Sequence, residues 1–202
     1  MKKWMSFLVM GLLLSSTAWA QVNAEGGVER GTWELGIKGG LSVPLGDYKD
    51  LVDPGLTIAI PFGYYVSPKF ALGVEMGASW TGASDSAQIM MFRDKGVPLD
   101  AEIKPRLYRM CLYGRYRFRD AGVSPYLLGV AGFYLQQTKA VYSGISQTFN
   151  DGYLGGGLGL GVSWVYEEKV KAYLEALVQD AGRTGSTPLT ILDLRLGMAF
   201  LL

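Results

Sequence analysis

Histidine is absent from the 202-residue chain, and cysteine occurs once, at Cys111. The missing imidazole excludes a Ser–His catalytic pair, a histidine general base and histidine metal ligands. A single cysteine forms neither an internal disulfide nor a thiolate metal cluster, so we interpret Cys111 as a buried wall residue. The formal net charge of +1 gives no reason to expect a polyanionic partner. These absences leave no candidate catalytic residue, metal site or cofactor site.

Long apolar runs are also missing after the first twenty residues, where no stretch approaches the roughly 18 uninterrupted apolar residues of a spanning helix. The opening segment has two early lysines, a short apolar core and the small-residue sequence Ala18-Trp19-Ala20. That order predicts an export signal over residues 1–20, cleaved after Ala20, and a mobile polar lead over 21–31. The apolar core is too short to act as a membrane anchor. An exported chain that is 49% hydrophobic, with no predicted spanning helix, indicates a barrel.

What the chain does contain is period-two alternation, seen most clearly between Gly152 and Asp180. Apolar residues occupy alternate positions as far as Tyr166, and the positions between them hold small residues, mostly glycine. The alternation resumes after Glu167-Glu168-Lys169. Two such runs around a short charged break predict a β-hairpin. Each run is about ten residues long, enough for a tilted strand to cross a bilayer. One face is apolar and the other small or charged, which is typical of a barrel whose apolar face meets lipid.

The same alternation predicts eight strands in meander order. Their ranges are 32–43, 55–66, 70–81, 106–119, 125–136, 152–166, 170–180 and 189–202. Long polar connections are expected at 44–54, 82–105, 137–151 and 181–188, and short turns separate the other strands. Outer-membrane barrels show this rhythm because their short turns lie in the periplasm and their longer loops outside the cell. We therefore predict an all-β, eight-stranded antiparallel up-and-down transmembrane β-barrel over residues 32–202.

The fifth predicted strand, 125–136, alternates poorly, so its phase is the least well defined. A soluble exported barrel of the lipocalin type is the alternative fold. It requires the apolar faces to point inward and the charged faces outward.

Aromatic residues concentrate near the predicted strand ends, where Tyr and Trp suit a membrane interface. If the first strand rises from the periplasm, these residues form a lower and an upper girdle. The predicted girdle consists of Trp33, Tyr64, Trp80, Tyr108, Tyr116, Tyr126, Tyr134, Trp164, Tyr166 and Phe200.

Charged residues fall on the strand faces opposite the apolar ones, which places them in the lumen. The predicted lumen charge network is Glu34, Lys38, Glu75, Arg109, Arg115, Arg117, Lys171, Glu175, Asp193 and Arg195. An eight-stranded barrel has an interior just wide enough to be filled by side chains. Because an unpaired buried charge costs several kcal/mol, we expect a paired network that plugs the lumen. The glycines of strand six are expected to make room for the arginines of strand four, and a gated ion path is the alternative.

These features together resemble those of small bacterial outer-membrane β-barrel proteins, the porin-family barrels of the OmpA transmembrane-domain and OmpX type. The resemblance extends to Val43-Pro44-Leu45-Gly46-Asp47-Tyr48 after the first strand and to the closing segment from Leu192 to Phe200. It implies the Gram-negative outer membrane, contact with its lipids and insertion by the barrel assembly machinery. Members of the family commonly end on an aromatic residue, whereas Leu201 and Leu202 follow Phe200 here. No peptidoglycan-binding domain is expected.

Two other patterns have alternative chemical interpretations. Arginines interleaved with tyrosines between Arg106 and Arg119 occur in nucleic-acid-binding segments, but the export signal and the strict alternation argue against nucleic acid here. Asp47, Asp50 and Asp53 are spaced three apart, which does not fit an EF-hand calcium loop. A solvated loop or a short helix at the barrel mouth is the favoured interpretation of that segment.

One apolar cluster, Ile89-Met90-Met91-Phe92, lies inside the longest predicted loop. Exposed apolar patches often mark contact sites, so contact with an extracellular partner is one hypothesis, and packing of the loop on the barrel mouth is the other. Three functional classes then compete: a non-catalytic barrel with a structural or surface-contact role, a narrow channel for ions or small solutes, and a membrane-embedded lipid-modifying enzyme. The lack of histidine makes the enzyme the least favoured class.

Overall fold

Eight antiparallel strands form a closed ring in the computed structural model, which describes residues 27–202 except 87–88, 90–95, 99, 168 and 185–186. Each strand pairs with its neighbours in sequence, and β8 pairs with β1 to close the barrel. The fold class and strand order predicted from the sequence are confirmed. The strands are β1 Trp33–Pro44, β2 Val52–Ser67, β3 Phe70–Ala83, β4 Glu102–Arg117, β5 Ser124–Tyr142, β6 Ile145–Glu167, β7 Val170–Thr184 and β8 Thr187–Leu201.

Alternation along each strand separates an apolar outer wall from a buried interior. In β8, Leu194 and Leu196 are exposed on the outside, while Asp193 and Arg195 between them are buried inside. Leu158 in β6 is 77% exposed. This orientation is the reverse of the soluble lipocalin-type alternative, because the apolar side chains cover the outside and the charges fill the inside. Among the described residues, no helix is both long and apolar enough to cross a membrane.

Short connections lie at one end of the barrel and include the Pro68-Lys69 turn between β2 and β3. At the other end, two of the expected long loops are replaced by paired strand. The β5 and β6 strands continue to pair as far as Tyr142 and Ile145, so the predicted loop 137–151 is a hairpin extension. Its turn is formed by Ser143 and Gly144, which both have positive φ. β7 and β8 likewise pair inside the predicted loop 181–188, at Arg183 with Pro188 and at Thr184 with Thr187, after a register shift beyond Asp180.

The lower end of the barrel, where the short turns lie, is covered by the chain that precedes β1. Val28 is 3% exposed and packs with Tyr65, Ala71, Val165 and Leu201. An antiparallel bridge also joins the adjoining Gly27 to Ala121 in the turn after β4. Residues 27–31 of the predicted mobile lead are therefore held against the base of the barrel, whereas residues 1–26 lie outside the described part of the chain.

The upper end is partly closed by a short 3-10 helix, Gly46–Asp50, between β1 and β2. Its Tyr48 is buried among apolar residues of the barrel mouth, including Val52, Leu107 and Leu189. Burial raises the pKa of the Tyr48 phenol well above its usual range. The segment that carries Asp47 and Asp50 is thus a short helix at the barrel mouth.

Candidate functional site

Side chains fill the lumen, and the structure brings together there all ten charged residues singled out in the sequence. Each of them is at most 4% exposed. They come from β1, β3, β4, β7 and β8, because on each of these strands the charged positions share the inward-facing phase. Nine of them, with nearby tyrosines and polar side chains, form three linked clusters that we name lower, middle and upper from the short-turn end.

The lower cluster is built around the carboxylate of Glu34. Arg115 donates from Nη2 to Oε1 of Glu34 at 2.6 Å, and Lys171 donates from Nζ to Oε2 at 3.2 Å. The hydroxyls of Tyr65 and Tyr113 also donate to this carboxylate, at 3.0 and 3.2 Å. Four donors therefore converge on one buried anion, so its hydrogen-bonding capacity is filled from four directions.

Tyr173 completes the lower cluster and holds its cations over aromatic faces. Nη1 of Arg115 donates to the Tyr173 hydroxyl at 3.2 Å, and the guanidinium carbon lies 4.8 Å from the centre of that ring. Lys171 lies 4.7 Å from the same ring centre. Cation–π contacts of this kind gain strength where water is excluded. The three tyrosines of this cluster therefore act as ligands of the charges.

The middle cluster is a closed ring of two cations and two carboxylates. Lys38 donates from Nζ to Glu75 at 3.1 Å and to Glu175 at 3.0 Å. Arg195 donates from Nη1 to the other oxygen of Glu75 at 2.5 Å and forms an ion pair with Glu175 through Nη2. The Tyr126 hydroxyl donates to Glu175 at 2.6 Å. Each charge in this cluster has two oppositely charged neighbours, and the four charges sum to zero.

The upper cluster pairs Arg109 with Asp193. Nη1 of Arg109 donates to Oδ2 of Asp193 at 2.7 Å, and the amide of Gln179 donates to the same oxygen at 2.8 Å. Tyr134 donates to Oε1 of Gln179 at 3.0 Å. Nε of Arg109 also lies 3.8 Å from Glu75, which joins the upper cluster to the middle one. The polar network therefore extends through most of the barrel interior.

Arg117 is buried at the base of the lumen but belongs to none of these clusters. It is fully buried, and its Nη1 donates to the Pro68 carbonyl at 3.3 Å. Its Nε and Nη2 have no hydrogen-bond partner among the described residues. The sequence places Arg117 in the lumen, but it cannot show that its charge is left over after the other pairs have formed.

Two residues assigned to the aromatic girdle, Tyr126 and Tyr134, lie inside the barrel, so this part of the sequence interpretation is wrong. Both are at most 1% exposed and donate hydrogen bonds to lumen side chains. The inward glycines of the neighbouring β6 strand leave space for these two tyrosine rings, and this space determines which residues of β5 face inward. A Cβ added at Gly161 would collide with the Tyr126 ring, and one added at Gly155 would lie 3.0 Å from the Tyr134 ring.

The glycines of β6 therefore accommodate tyrosines rather than the arginines of β4 expected from the sequence. At Gly157 and Gly159 the nearest side-chain atoms to an added Cβ belong to Gln179 and Leu177. The arginine that does rest on a glycine is Arg109, whose Nε would lie 2.7 Å from a Cβ at Gly77 of β3. These contacts depend on the pairing register between strands, and that register cannot be read from the composition of a single strand.

The other eight predicted girdle residues lie on the outer face, exposed or half-buried. At the lower end, Trp33 stacks on Phe62 with ring centres 5.1 Å apart and lies 4.8 Å from Tyr64. Tyr116 and Phe118 make an edge-to-face pair at 5.6 Å. The eight outer girdle residues are Trp33, Tyr64, Trp80, Tyr108, Tyr116, Trp164, Tyr166 and Phe200.

The hydroxyl ligands of the lumen carry no charge, so a selection of lumen residues by charge does not include them. Alternation nevertheless predicts an inward position for both Tyr65 and Tyr173. Tyr65 has the opposite phase to the outward Tyr64, and Tyr173 shares the phase of the inward Lys171 and Glu175. In the predicted contact loop, Ile89 is 60% exposed. Met90, Met91 and Phe92 lie outside the described residues.

An apolar outer wall around a filled, ion-paired interior defines an integral membrane β-barrel. The family model for the outer membrane protein beta-barrel domain matches residues 6–187, and the chain belongs to that family. The protein is accordingly located in the bacterial outer membrane of the Gram-negative cell envelope, in contact with its lipids. No curated protein matches the sequence.

Solved structures support the same architecture at low sequence identity. Neisserial surface protein A is 16% identical, with a TM-score of 0.59 over 88% of this chain and 98% of that one. Ail, the attachment invasion locus protein of Yersinia pestis, is 13% identical, with a TM-score of 0.59 over 86% of this chain and 99% of that one. At such identities the likeness establishes the fold alone.

Proposed function

We propose that this protein is a non-conducting, non-catalytic outer-membrane barrel that stabilises the envelope and presents its upper loops at the cell surface. The observation that carries the proposal is the lumen itself, which three linked clusters of buried charges and hydroxyls occupy. The apolar contacts of Val28 below and Tyr48 above support the same role, because they cover parts of both mouths. A conducting state requires these contacts and at least one ring of ion pairs to open.

Conductance of the purified, folded protein in a planar bilayer tests the closed lumen. We expect no steady openings from the wild-type barrel, because the middle cluster crosses the interior through Lys38, Glu75, Glu175 and Arg195. Heat-modifiable gel mobility of the same sample confirms that the silent protein is folded. Steady openings that disappear in an Arg195→Ala variant with unchanged heat-modifiable mobility would instead establish the narrow-channel alternative.

The surface-contact part of the proposal depends on the loop between β3 and β4. Ile89 is exposed, and the adjacent Met90, Met91 and Phe92 make the segment strongly apolar in sequence. Replacing all four residues with serine should leave the heat-modifiable mobility unchanged and reduce attachment of expressing cells to matrix-coated surfaces several-fold. The matched control replaces Ser146, Thr148 and Asn150 of the β5–β6 hairpin with alanine. Unchanged attachment in the four-serine variant would remove the contact role.

The available side chains support the non-catalytic part of the proposal. The chain has no histidine, and the buried carboxylates of the lumen hold cations in all three clusters. We also propose that residues 1–20 are an export signal and 21–31 a periplasmic lead. On this proposal, the barrel assembly machinery is a partner during insertion.

A further inference from the structure

The charges buried in the lumen do not balance. Among the described residues, six buried cations face four buried carboxylates. The cations are Lys38, Arg109, Arg115, Arg117, Lys171 and Arg195, and the carboxylates are Glu34, Glu75, Glu175 and Asp193. The middle and upper clusters together contain three of each sign and are neutral. The excess of two positive charges therefore lies at the lower end.

At that end, one buried carboxylate lies among three buried cations. Glu34 already accepts hydrogen bonds from Arg115 and Lys171. Arg117 is repelled by Arg115 and reaches no carboxylate at ion-pair distance among the described residues. Glu34 and, more weakly, Asp120 at the rim attract it from beyond ion-pair distance. The Asp120 side chain is 58% exposed and lies 3.8 Å from Lys69. The third cation is thus left without a neutralising neighbour.

An uncompensated guanidinium in this position is energetically costly. Water can satisfy the unpartnered Nε and Nη2 of Arg117, but it cannot offset a net charge in an interior of low polarity. Small residues line part of this end of the lumen: Ala71 on β3 and the neighbouring Ser124 and Ser163 on β5 and β6. On β5, Tyr126 lies opposite Arg117 in the pairing register, so the cation has an aromatic neighbour but no acidic one there. A counter-charge arriving from the periplasm would relieve the repulsion.

We propose that the lower end of the lumen binds a small inorganic anion, of the chloride or phosphate class, against Arg117. The anion accepts hydrogen bonds from Nε and Nη2 of Arg117, and Lys171 adds positive potential at the same end. Such binding lowers the excess of two positive charges at the lower end to one with chloride, and to none with a doubly charged phosphate. It does not depend on whether the lumen conducts, because the site lies below the middle cluster.

Thermal unfolding of the detergent-solubilised, folded protein tests the proposal, with heat-modifiable gel mobility as the readout. Samples in sodium gluconate, sodium chloride and sodium phosphate are compared at equal ionic strength. Gluconate is the reference anion because it is too bulky for a lumen site. We expect the unfolding midpoint to rise by about 5 °C in chloride or phosphate, because an anion that binds only the folded state stabilises it. Arg117→Gln should abolish this rise.

Two further variants separate a specific site from general salt effects. Arg119→Gln removes an exposed arginine two residues along the chain and should retain the full anion response. Ala71→Glu places a carboxylate beside Arg115 in the pairing register, and should reduce the difference in midpoint between gluconate and the two small anions. Equal midpoints of the wild type in all three salts would overturn the proposal. So would an undiminished response in Arg117→Gln, which would show that the salts act elsewhere.

Discussion

Arg195→Ala is expected to lower the free energy of unfolding by about 3–5 kcal/mol, the largest effect of any single lumen substitution considered. The guanidinium lies between Glu75 and Glu175, and its removal leaves two buried carboxylates that share Lys38 as their remaining cation in the middle cluster. Breaking a buried ion pair costs this much because the remaining charge stays desolvated. Reversible urea unfolding in lipid vesicles, followed by gel mobility, measures the change.

A second substitution separates lost charge balance from lost packing. Glu75→Gln in the Arg195→Ala background leaves Lys38 paired with Glu175, so the middle cluster is again neutral. We expect the double variant to recover at least half of the lost stability, although it has the same missing arginine side chain. Arg106→Ala, at the upper end of β4, is the control and should cost less than about 1 kcal/mol because it lies outside the three clusters. A loss below 1 kcal/mol in Arg195→Ala would contradict the account of the middle cluster.

Most of the barrel could be predicted because membrane and lumen impose opposite demands on alternate residues. In β8, leucines at 192, 194 and 196 alternate with Asp193 and Arg195, and a shift by one residue would expose these charges to hydrocarbon. The β5 strand provides no such contrast. Leu127 and Phe133 face outward, but the inward Leu128 and Val130 are equally apolar, so either phase satisfies the pattern. The glycines of the adjacent β6 strand decide the matter, and this information is not local.

The hairpin extensions were missed for a different reason. Residues 137–151 are polar, and a polar segment was expected to be a loop because a membrane-spanning strand needs an apolar face. A strand that extends beyond the membrane does not need such a face. Above the membrane, β5 and β6 go on pairing through their backbones, with Gln137 donating to Asn150 at 3.1 Å on the ribbon. The sequence signal for this hairpin was the dipeptide Ser143-Gly144, because Ser-Gly is a common turn sequence. Both residues have the positive φ angles of a two-residue hairpin turn.

The pairing of lumen charges was also beyond the reach of the sequence. The inward phase could be inferred from alternation, but Lys38 and Glu175 are 137 residues apart and meet only because the ring closes. The leftover cation is a consequence of the same geometry. Arg115 and Arg117 both face inward from β4, yet only Arg115 reaches Glu34.

Gly63→Ala is expected to destabilise the barrel by about 1–3 kcal/mol, the usual cost of overpacking a filled interior. The added Cβ would collide with the hydroxyl of Tyr113 and approach its Cζ to 3.1 Å, while the next atom, Cγ of Glu34, is 3.4 Å away. The three nearest atoms all belong to side chains, so the clash can be relieved without moving the backbone. Tyr113→Phe removes the obstructing oxygen.

The two substitutions should therefore be strongly coupled. Tyr113→Phe alone loses a hydrogen bond to Glu34 and should cost about 1 kcal/mol or somewhat more. In that background Gly63→Ala should cost at least 1 kcal/mol less than in the wild type, as measured by a double-mutant cycle in vesicles. Gly129→Ala is the control, because an added Cβ there lies 3.8 Å from Leu158 on the lipid-facing wall and should change stability by under about 0.5 kcal/mol. If the stability losses at positions 63 and 113 are additive, the Tyr113 hydroxyl does not occupy the space above Gly63. The hydrogen-bond donors around Glu34 would then be arranged differently from the structure described above.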